Sequence, residues 1–412
     1  MNGATQNDRR ERILKKAAEK TAAESSRALN LLRNRDDRLP GYDYFLNLAE
    51  GGLTPAAASA RTGREVINLL CLQAPLELIH AAGLMPIKIF GGSHAAGNLA
   101  AQGFPALMCP MLRSVLGAFQ MDSYAGNLAW VLPTTCDWMV KFPEMMKLAG
   151  VESSAPLHWL ELPHLKDAPS GQELWLGEVY RLKKFLEELT GRRVDRRKIM
   201  ASIDLYHEAW RALNALTALR RQGRVPAPWF FLMTNTFFMD QVENWTHGVK
   251  EILPDLETKQ TKGHRVFLAG SPIFFPNFKL LNLLEDAGLT VAADDMCSSE
   301  RLLPGGVNYS DASEFGLMTA LAQRYHQGCL CPTFADNDRR VNNILGQSKN
   351  VDGVVFQVLK GCHPFDLESF TIEQTLKEHG LKYLRLETDY TSEDSQNLLT
   401  RLEAFRQTLE AS

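Results

Sequence analysis

The chain has 412 residues, 45% hydrophobic and 23% charged, with 45 Lys+Arg against 48 Asp+Glu for a net charge of −3. These proportions are globular and exclude wholesale disorder, and the near-neutral balance excludes the basic field that nucleic-acid binding needs. No apolar run approaches the ~20 residues that span a bilayer and no apolar segment follows the polar start MNGATQNDRRERILKKAAEK, so a cytoplasmic protein of about two to three domain lengths, off the membrane, is expected.

Residues 1–38 carry ten Lys/Arg and six Asp/Glu, a local net of +4. Ile13, Leu14, Ala17, Ala18, Ala22 and Ala23 recur among them at helical spacing, which predicts an amphipathic surface helix leaning on the main body. A second helix is expected from Tyr42 to roughly Ala60, after the Pro40-Gly41 break. Residues 1–63 therefore read as an N-terminal helical segment.

From residue 64 the texture changes. Glu65–Leu70 (EVINLL) reads as a strand ending at Cys71. QAPLELIHAAG reads as a helix opened by Pro75 and closed by Gly83, and Met85–Phe90 (MPIKIF) as a second strand. Strand, helix, strand is a βαβ unit. AWVLPTT is a further strand-like run ahead of Cys136. Arg193–Arg221 is a helical stretch, and the proline-rich turn Val225-Pro226-Ala227-Pro228 marks the join between two halves.

Past the join the pattern returns. His264–Ala269 (HRVFLA) is a strand, Gly270-Ser271-Pro272 a turn, NFKLLNLLEDAG a helix and Leu289–Ala293 (LTVAA) a strand. A third copy runs through Val351–Leu359 (VDGVVFQVL), the helix SFTIEQTLKEHG and the strand LKYLRLE. LELIHAAGLMPIKI can be laid over LLNLLEDAGLTVAA. The closing helix SEDSQNLLTRLEAFRQTLE starts with the cap-like Thr391/Ser392. The expected fold is α/β: two similar doubly wound, Rossmann- or flavodoxin-like domains with parallel sheets, at 64–225 and 226–412, preceded by the N-terminal helices.

Seven cysteines in a chain without a secretory leader point to reduced thiols or metal ligands rather than disulfides. Cys71, Cys136, Cys297 and Cys362 each follow a predicted strand, while Cys109 (ALMCP) and Cys331 (CLCPTF) lie in loops directly before a proline. In open α/β sheets the ligand sits in the crevice beyond the carboxyl ends of the strands. A lone cysteine is most often a small buried hydrophobe. Six at strand ends or Cys-Pro turns do not look like core filling. The spacings of 38, 27, 161, 34 and 31 residues contain no CxxC pair. That argues against zinc ribbons and ferredoxin-type runs and leaves open a cluster whose thiolates converge in space.

Other chemistry is sparse. No GxxxxGK(S/T), GxGxxG or GxSxG motif occurs, so any ATP chemistry must come from a partner. The loop from Gly91 to Gly97 follows a strand and could approach an anion, although it reads more simply as a plain turn. His94 and His363 stand beside the cysteine loops, either as proton donors or as ordinary polar loop histidines.

The segments PLELIHAAGLMPIKIFG, MCPMLRS, VLPTTCDWM, VDGVVFQVLKGCHPF, LKYLRLETDY and RLEAFRQTL resemble the 2-hydroxyacyl-CoA dehydratase D-component and benzoyl-CoA reductase superfamily, from about residue 64 to 412. The resemblance implies that Cys109, Cys136 and Cys362 hold one [4Fe–4S] cubane. The further thiols Cys71, Cys297 and the Cys329/Cys331 pair depart from the dehydratase pattern and look like the double-cubane cluster proteins, in which one chain carries two cubanes joined by a bridging sulfide. For the third ligand of that second cubane Cys331 is preferred to Cys329, because it opens the Cys-Pro-Thr-Phe loop.

The resemblance further implies a low-potential oxidoreductase acting on a small substrate, fed with electrons by a separate ATP-hydrolysing iron–sulfur activator, and built as a homodimer. Two other functions stay open. One is a 2-hydroxyacyl-CoA dehydratase or benzoyl-CoA reductase-type subunit with a single cluster, and the other is a non-catalytic electron carrier.

Overall fold

The computed structural model describes residues 2–101, 103–105, 107–149, 155–303, 305–335 and 337–411, with side chains from residue 8 onward. Three helices come first: α1 (Asn2–Arg33), α2 (Tyr42–Gly51) and α3 (Pro55–Thr62). The single helix expected from Tyr42 to about Ala60 is thus two. Gly52 leaves helical geometry with φ 77°, and Thr54 then caps a new helix by accepting the Ala57 amide at 3.2 Å, with Pro55 in its first turn. α1 rests on the body through Ala17, Leu29 and Leu32.

The first half of the body runs β1 (Val66–Leu69), α4 (Leu76–Ala81), β2 (Met85–Lys88), α5 (His94–Ala100), α6 (Pro110–Gln120), β3 (Ala129–Pro133), α7 (Asp137–Leu148) and β4 (Leu157–Leu160). Four helices follow: α8 (Pro169–Thr190), α9 (Arg196–Arg221), α10 (Ala227–Asn235) and α11 (Val242–Leu256). The second half runs β5 (His264–Gly270), α12 (Lys279–Asp286), β6 (Leu289–Asp294), α13 (Glu314–His326), α14 (Asp338–Ser348), β7 (Gly353–Leu359), α15 (His363–Glu378), β8 (Tyr383–Thr388) and α16 (Ser395–Glu410). The last helix starts at Ser395 behind Asp394, later than the Thr391/Ser392 expected.

Each half forms one four-stranded sheet, and the two orders are the same: β2-β1-β3-β4 and β6-β5-β7-β8. Every pairing is parallel. This is the flavodoxin-like order, in which connections leave in opposite directions from the two central strands and open a crevice between them. The chain is the expected α/β protein with two similar doubly wound parallel sheets.

Parallel strands covered on both faces must be apolar on both, and alternation divides their side chains between two cores. In β1, Ile67 and Leu69 join one core while Val66 joins another. In β5, Val266 and Leu268 join that same first core, and Phe267 and Ala269 face a third. The first core is therefore continuous from one sheet to the other. Helix α9 carries it across, packing on α4 of the first half and on β6 of the second. No helix among the described residues is long and apolar enough to cross a membrane.

Candidate metal centre

The strand ends place the cysteines. Cys71 lies two residues past β1, and Cys136, Cys297 and Cys362 lie three past β3, β6 and β7. Cys109 enters from the loop before α6, and Cys329 and Cys331 from the loop after α13. Cys109 is buried and the other six are partly exposed. The structure divides them into two neighbouring sets.

Cys109, Cys136 and Cys362 form the first set. Each occupies the N-cap of a helix: Cys109 on α6, Cys136 on α7 and Cys362 on α15. Proline in the first turn of α6 and α15 fixes where those helices begin. Free amides and the macrodipole make a helix N-terminus favour negative charge. The Met111 and Leu112 amides face the Cys109 sulfur, and the Trp138 and Met139 amides face that of Cys136, without formal cap hydrogen bonds.

A hydrogen bond from the Cys362 thiol holds Cys109 below the usual thiol range, and the same bond, with burial, pushes Cys362 well above it. Burial pushes Cys136 up to about 11. Ser271 also bonds Cys362, while its hydroxyl accepts the Leu359 amide at 3.0 Å. Gly361, with φ 78°, lets the Cys362 loop close on the Cys109 loop; a Cβ there would overlap the Leu107 carbonyl oxygen.

Cys71, Cys297 and the Cys329/Cys331 pair form the second set. Cys71 lies in the fields of Cys331 and Cys297, and burial pushes it up to about 12. Cys331 acts on both Cys71 and Cys136, so it stands where the two sets meet. Its sulfur accepts the Thr333 hydroxyl at 3.3 Å. Cys329 takes the Gln73 side-chain amide at 2.8 Å, and burial pushes it up to about 12.

None of these cysteines caps a helix. Cations surround them instead: Lys88 Nζ is 3.8 Å from Cys297 Sγ, Lys166 Nζ is 3.1 Å from the Cys329 carbonyl, and Arg301 lies in the fields of Cys297, Cys331 and Cys329.

The loop bearing Cys297 is anchored by adjacent aspartates, both fully buried. Asp294 pairs with Arg220 at 2.6 Å. Asp295 pairs with Arg340 and, at 3.0 Å, with Arg301 Nε. Arg340 in turn binds Glu368 at 2.7 Å.

His363 is the first residue of α15, exposed, with its ring 6.5 Å from that of Trp138. His94 begins α5, and its Nε2 is 2.8 Å from the Asn98 amide nitrogen. It lines a cavity of about 340 Å³ with Arg113 and Tyr390 that reaches Pro110, next to Cys109. The loop from Gly91 to Gly97 presents no open anion cradle: Glu24 of α1 accepts the Ser93 hydroxyl at 2.6 Å and the Ala95 amide at 2.9 Å.

Among the described residues no three His, Cys, Asp or Glu side chains gather closely enough for a single metal ion. Such an ion needs all its ligands about 2.0–2.3 Å from one point. In a cluster each thiolate binds its own iron, so the sulfurs stand further apart. A set of three thiols and a set of four, supplied with amide, hydroxyl or cationic donors, fit that second kind of group. Lys88, Lys166, Ser271 and Arg301 do not stand out in the sequence. A lysine inside the apolar run MPIKIF was the visible signal for Lys88.

Residues 71–409 match the family described as 2-hydroxyglutaryl-CoA dehydratase, D-component. A putative dehydratase subunit of Escherichia coli (strain K12), YjiM, is 24% identical over 383 residues, covering 88% of this chain and 96% of the relative. The (R)-phenyllactyl-CoA dehydratase beta subunit of Clostridium sporogenes is 23% identical, covering 85% and 93%. One of the benzoyl-CoA reductase subunits of Thauera aromatica is 24% identical, covering 79% and 86%.

Proposed function

The chain belongs to the 2-hydroxyglutaryl-CoA dehydratase D-component family, and on that premise we propose that it is a low-potential iron–sulfur reductase of a small molecule, driven by a separate ATP-hydrolysing activator. The observation that carries this reading is the second thiol set. A single cubane would take Cys109, Cys136 and Cys362 on three of its irons, with the fourth open to another ligand, which leaves Cys71, Cys297 and Cys331 as a further set of three beside it. Two cubanes joined by a sulfide account for all six, with Cys329 as the substitute for Cys331.

Thiolate-held clusters supply one-electron transfer at a potential set by charge, hydrogen bonding and exposure. The residues of this chain do the rest. Three helix N-termini offset part of what burial costs thiolates at Cys109, Cys136 and Cys362. Ser271 donates to Cys362. His94 and His363, at the rim, are the candidate proton donors to a bound molecule. The chain carries no P-loop, so ATP is assigned to the activator, which would dock on a homodimer of this chain.

The names of the relatives favour a second reading: a dehydratase or benzoyl-CoA reductase-type subunit with one [4Fe–4S] cluster. Iron and acid-labile sulfide per chain, measured on anaerobically purified protein, decide between them. About eight irons with slightly more sulfide supports two bridged cubanes, and about four irons supports the single-cluster subunit.

A further inference from the structure

Three lysines among the described residues are buried: Lys88, Lys166 and Lys183. Lys183 is paired with Glu187 at 3.0 Å and Glu314 at 3.1 Å. The buried arginines Arg220 and Arg340 are likewise paired with carboxylates. Among the described residues no carboxylate pairs with Lys88 or Lys166, and both lie beside the second thiol set.

Lys88, the last residue of β2, is 5% exposed; its ammonium meets Cys297 Sγ at 3.8 Å and the centre of the Phe274 ring at 4.8 Å. Lys166, 1% exposed, donates to the Cys329 carbonyl at 3.1 Å and lies 5.2 Å from the centre of the Phe334 ring. Its neighbour in sequence, Asp167, is exposed. Arg301 adds a third cation: Nε is held by Asp295, while the buried Nη2 has no hydrogen-bond partner.

A buried ammonium needs an anion, because neither a ring face nor a carbonyl dipole replaces its lost hydration. The groups available here are Cys71 and Cys297 at Lys88, Cys329, Cys331 and the solvent-exposed Asp167 near Lys166, and whatever the thiols bind. We infer that Lys88, Lys166 and Arg301 are positioning residues, a cation cage that makes the second thiol set accept an anionic, thiolate-bound metal group and raises that group's reduction potential. The inference rests on the second set being metal ligands. Removing one cation leaves more uncompensated negative charge on the group, so reduction becomes harder.

The test uses the full chain, purified anaerobically as wild type, Lys88→Met, Lys166→Met and Lys88→Arg. Iron per chain and the midpoints of visible bleaching are followed during titration with titanium(III) citrate. Each methionine variant should shift one reductive transition to lower potential and leave the other in place, and Lys88→Arg should restore most of the shift. The Lys88→Met/Lys166→Met double variant should lose about half its iron.

A separate readout covers a variant that does not load metal. In a Cys71→Ala/Cys297→Ala/Cys331→Ala background the ammonium has lost its anion, so adding Lys88→Met should raise the unfolding midpoint there. Unchanged iron and midpoints in both methionine variants, against a wild type with about eight irons, would overturn the cage alone. A wild type with about four irons, unchanged by Cys71→Ala, would overturn the two-cluster reading and the cage with it.

Discussion

Around Cys109, Cys136 and Cys362 the positive potential comes mainly from the backbone, because all three cysteines stand at helix N-caps, with Arg113 adding a side-chain charge near Cys109. Around Cys71, Cys297 and Cys331 it comes from side chains, Lys88 and Arg301 at the thiols and Lys166 behind Cys329. Each helix end offers roughly half an elementary charge that no substitution of a single side chain removes. A lysine or arginine offers a full charge that one substitution deletes. The first set is therefore robust in charge and dependent on where helices start, whereas the second is adjustable and dependent on a few buried ions.

The largest effect that would break this contrast is on metal content. Cys136→Ala and Cys297→Ala should each lose about half the iron, and the double variant nearly all of it. If Cys297→Ala retained all its iron, the second set would not be a ligand set at all.

Next comes stability. Asp295→Ala leaves Arg340 and Arg301 short of a buried carboxylate and should cost about 3–5 kcal/mol, read as a lower urea midpoint. A change under about 1 kcal/mol would show that the ion network around Cys297 is not a structural support.

Ser271→Ala removes one hydroxyl donor from Cys362 and should move only the transition belonging to the first set in a redox titration. A shift in both transitions would mean that the two sets behave as one. The smallest effect is expected at Cys329, whose replacement by Ala should leave iron unchanged where Cys331→Ala lowers it. The reverse result would exchange the two residues.

The sheets were readable because parallel strands buried on both faces appear as short apolar runs, and seven of the eight lie within a few residues of where those runs place them. β4 escaped because LHWL is short and only its last residue is buried. α10 escaped for the opposite reason. APWFFLMTN is buried all round, so it carries no helical stripe, and its prolines read as a turn although Pro226 caps the helix and Pro228 lies in its first turn.

The thiols could be picked out from their positions at strand ends and Cys-Pro turns, but spacing alone did not partition them; only the family resemblance suggested two sets. Cys71 and Cys297 are 226 residues apart in sequence and come near one another because a shared core, with α9 among its helices, joins the two sheets. The partners of the cations could not be read for a related reason. A lysine at the end of an apolar strand declares itself only when the neighbouring sheet is seen to bring a sulfur rather than a carboxylate.

The placement of the cysteines past the ends of strands also bears on how such a protein can change over evolutionary time. A residue in that position pairs in no strand and lies at the margin of a core rather than within it, so exchanging a thiol there by one codon change disturbs the hydrophobic layers less than a change inside a strand would. If the proposed second set holds a metal group, lineages built on this scaffold could move between one group and two without passing through an unfolded ancestor. The buried lysines constrain that freedom. A chain that discards the second set while keeping Lys88 and Lys166 retains two charges without partners, so their loss or persistence records which change came first.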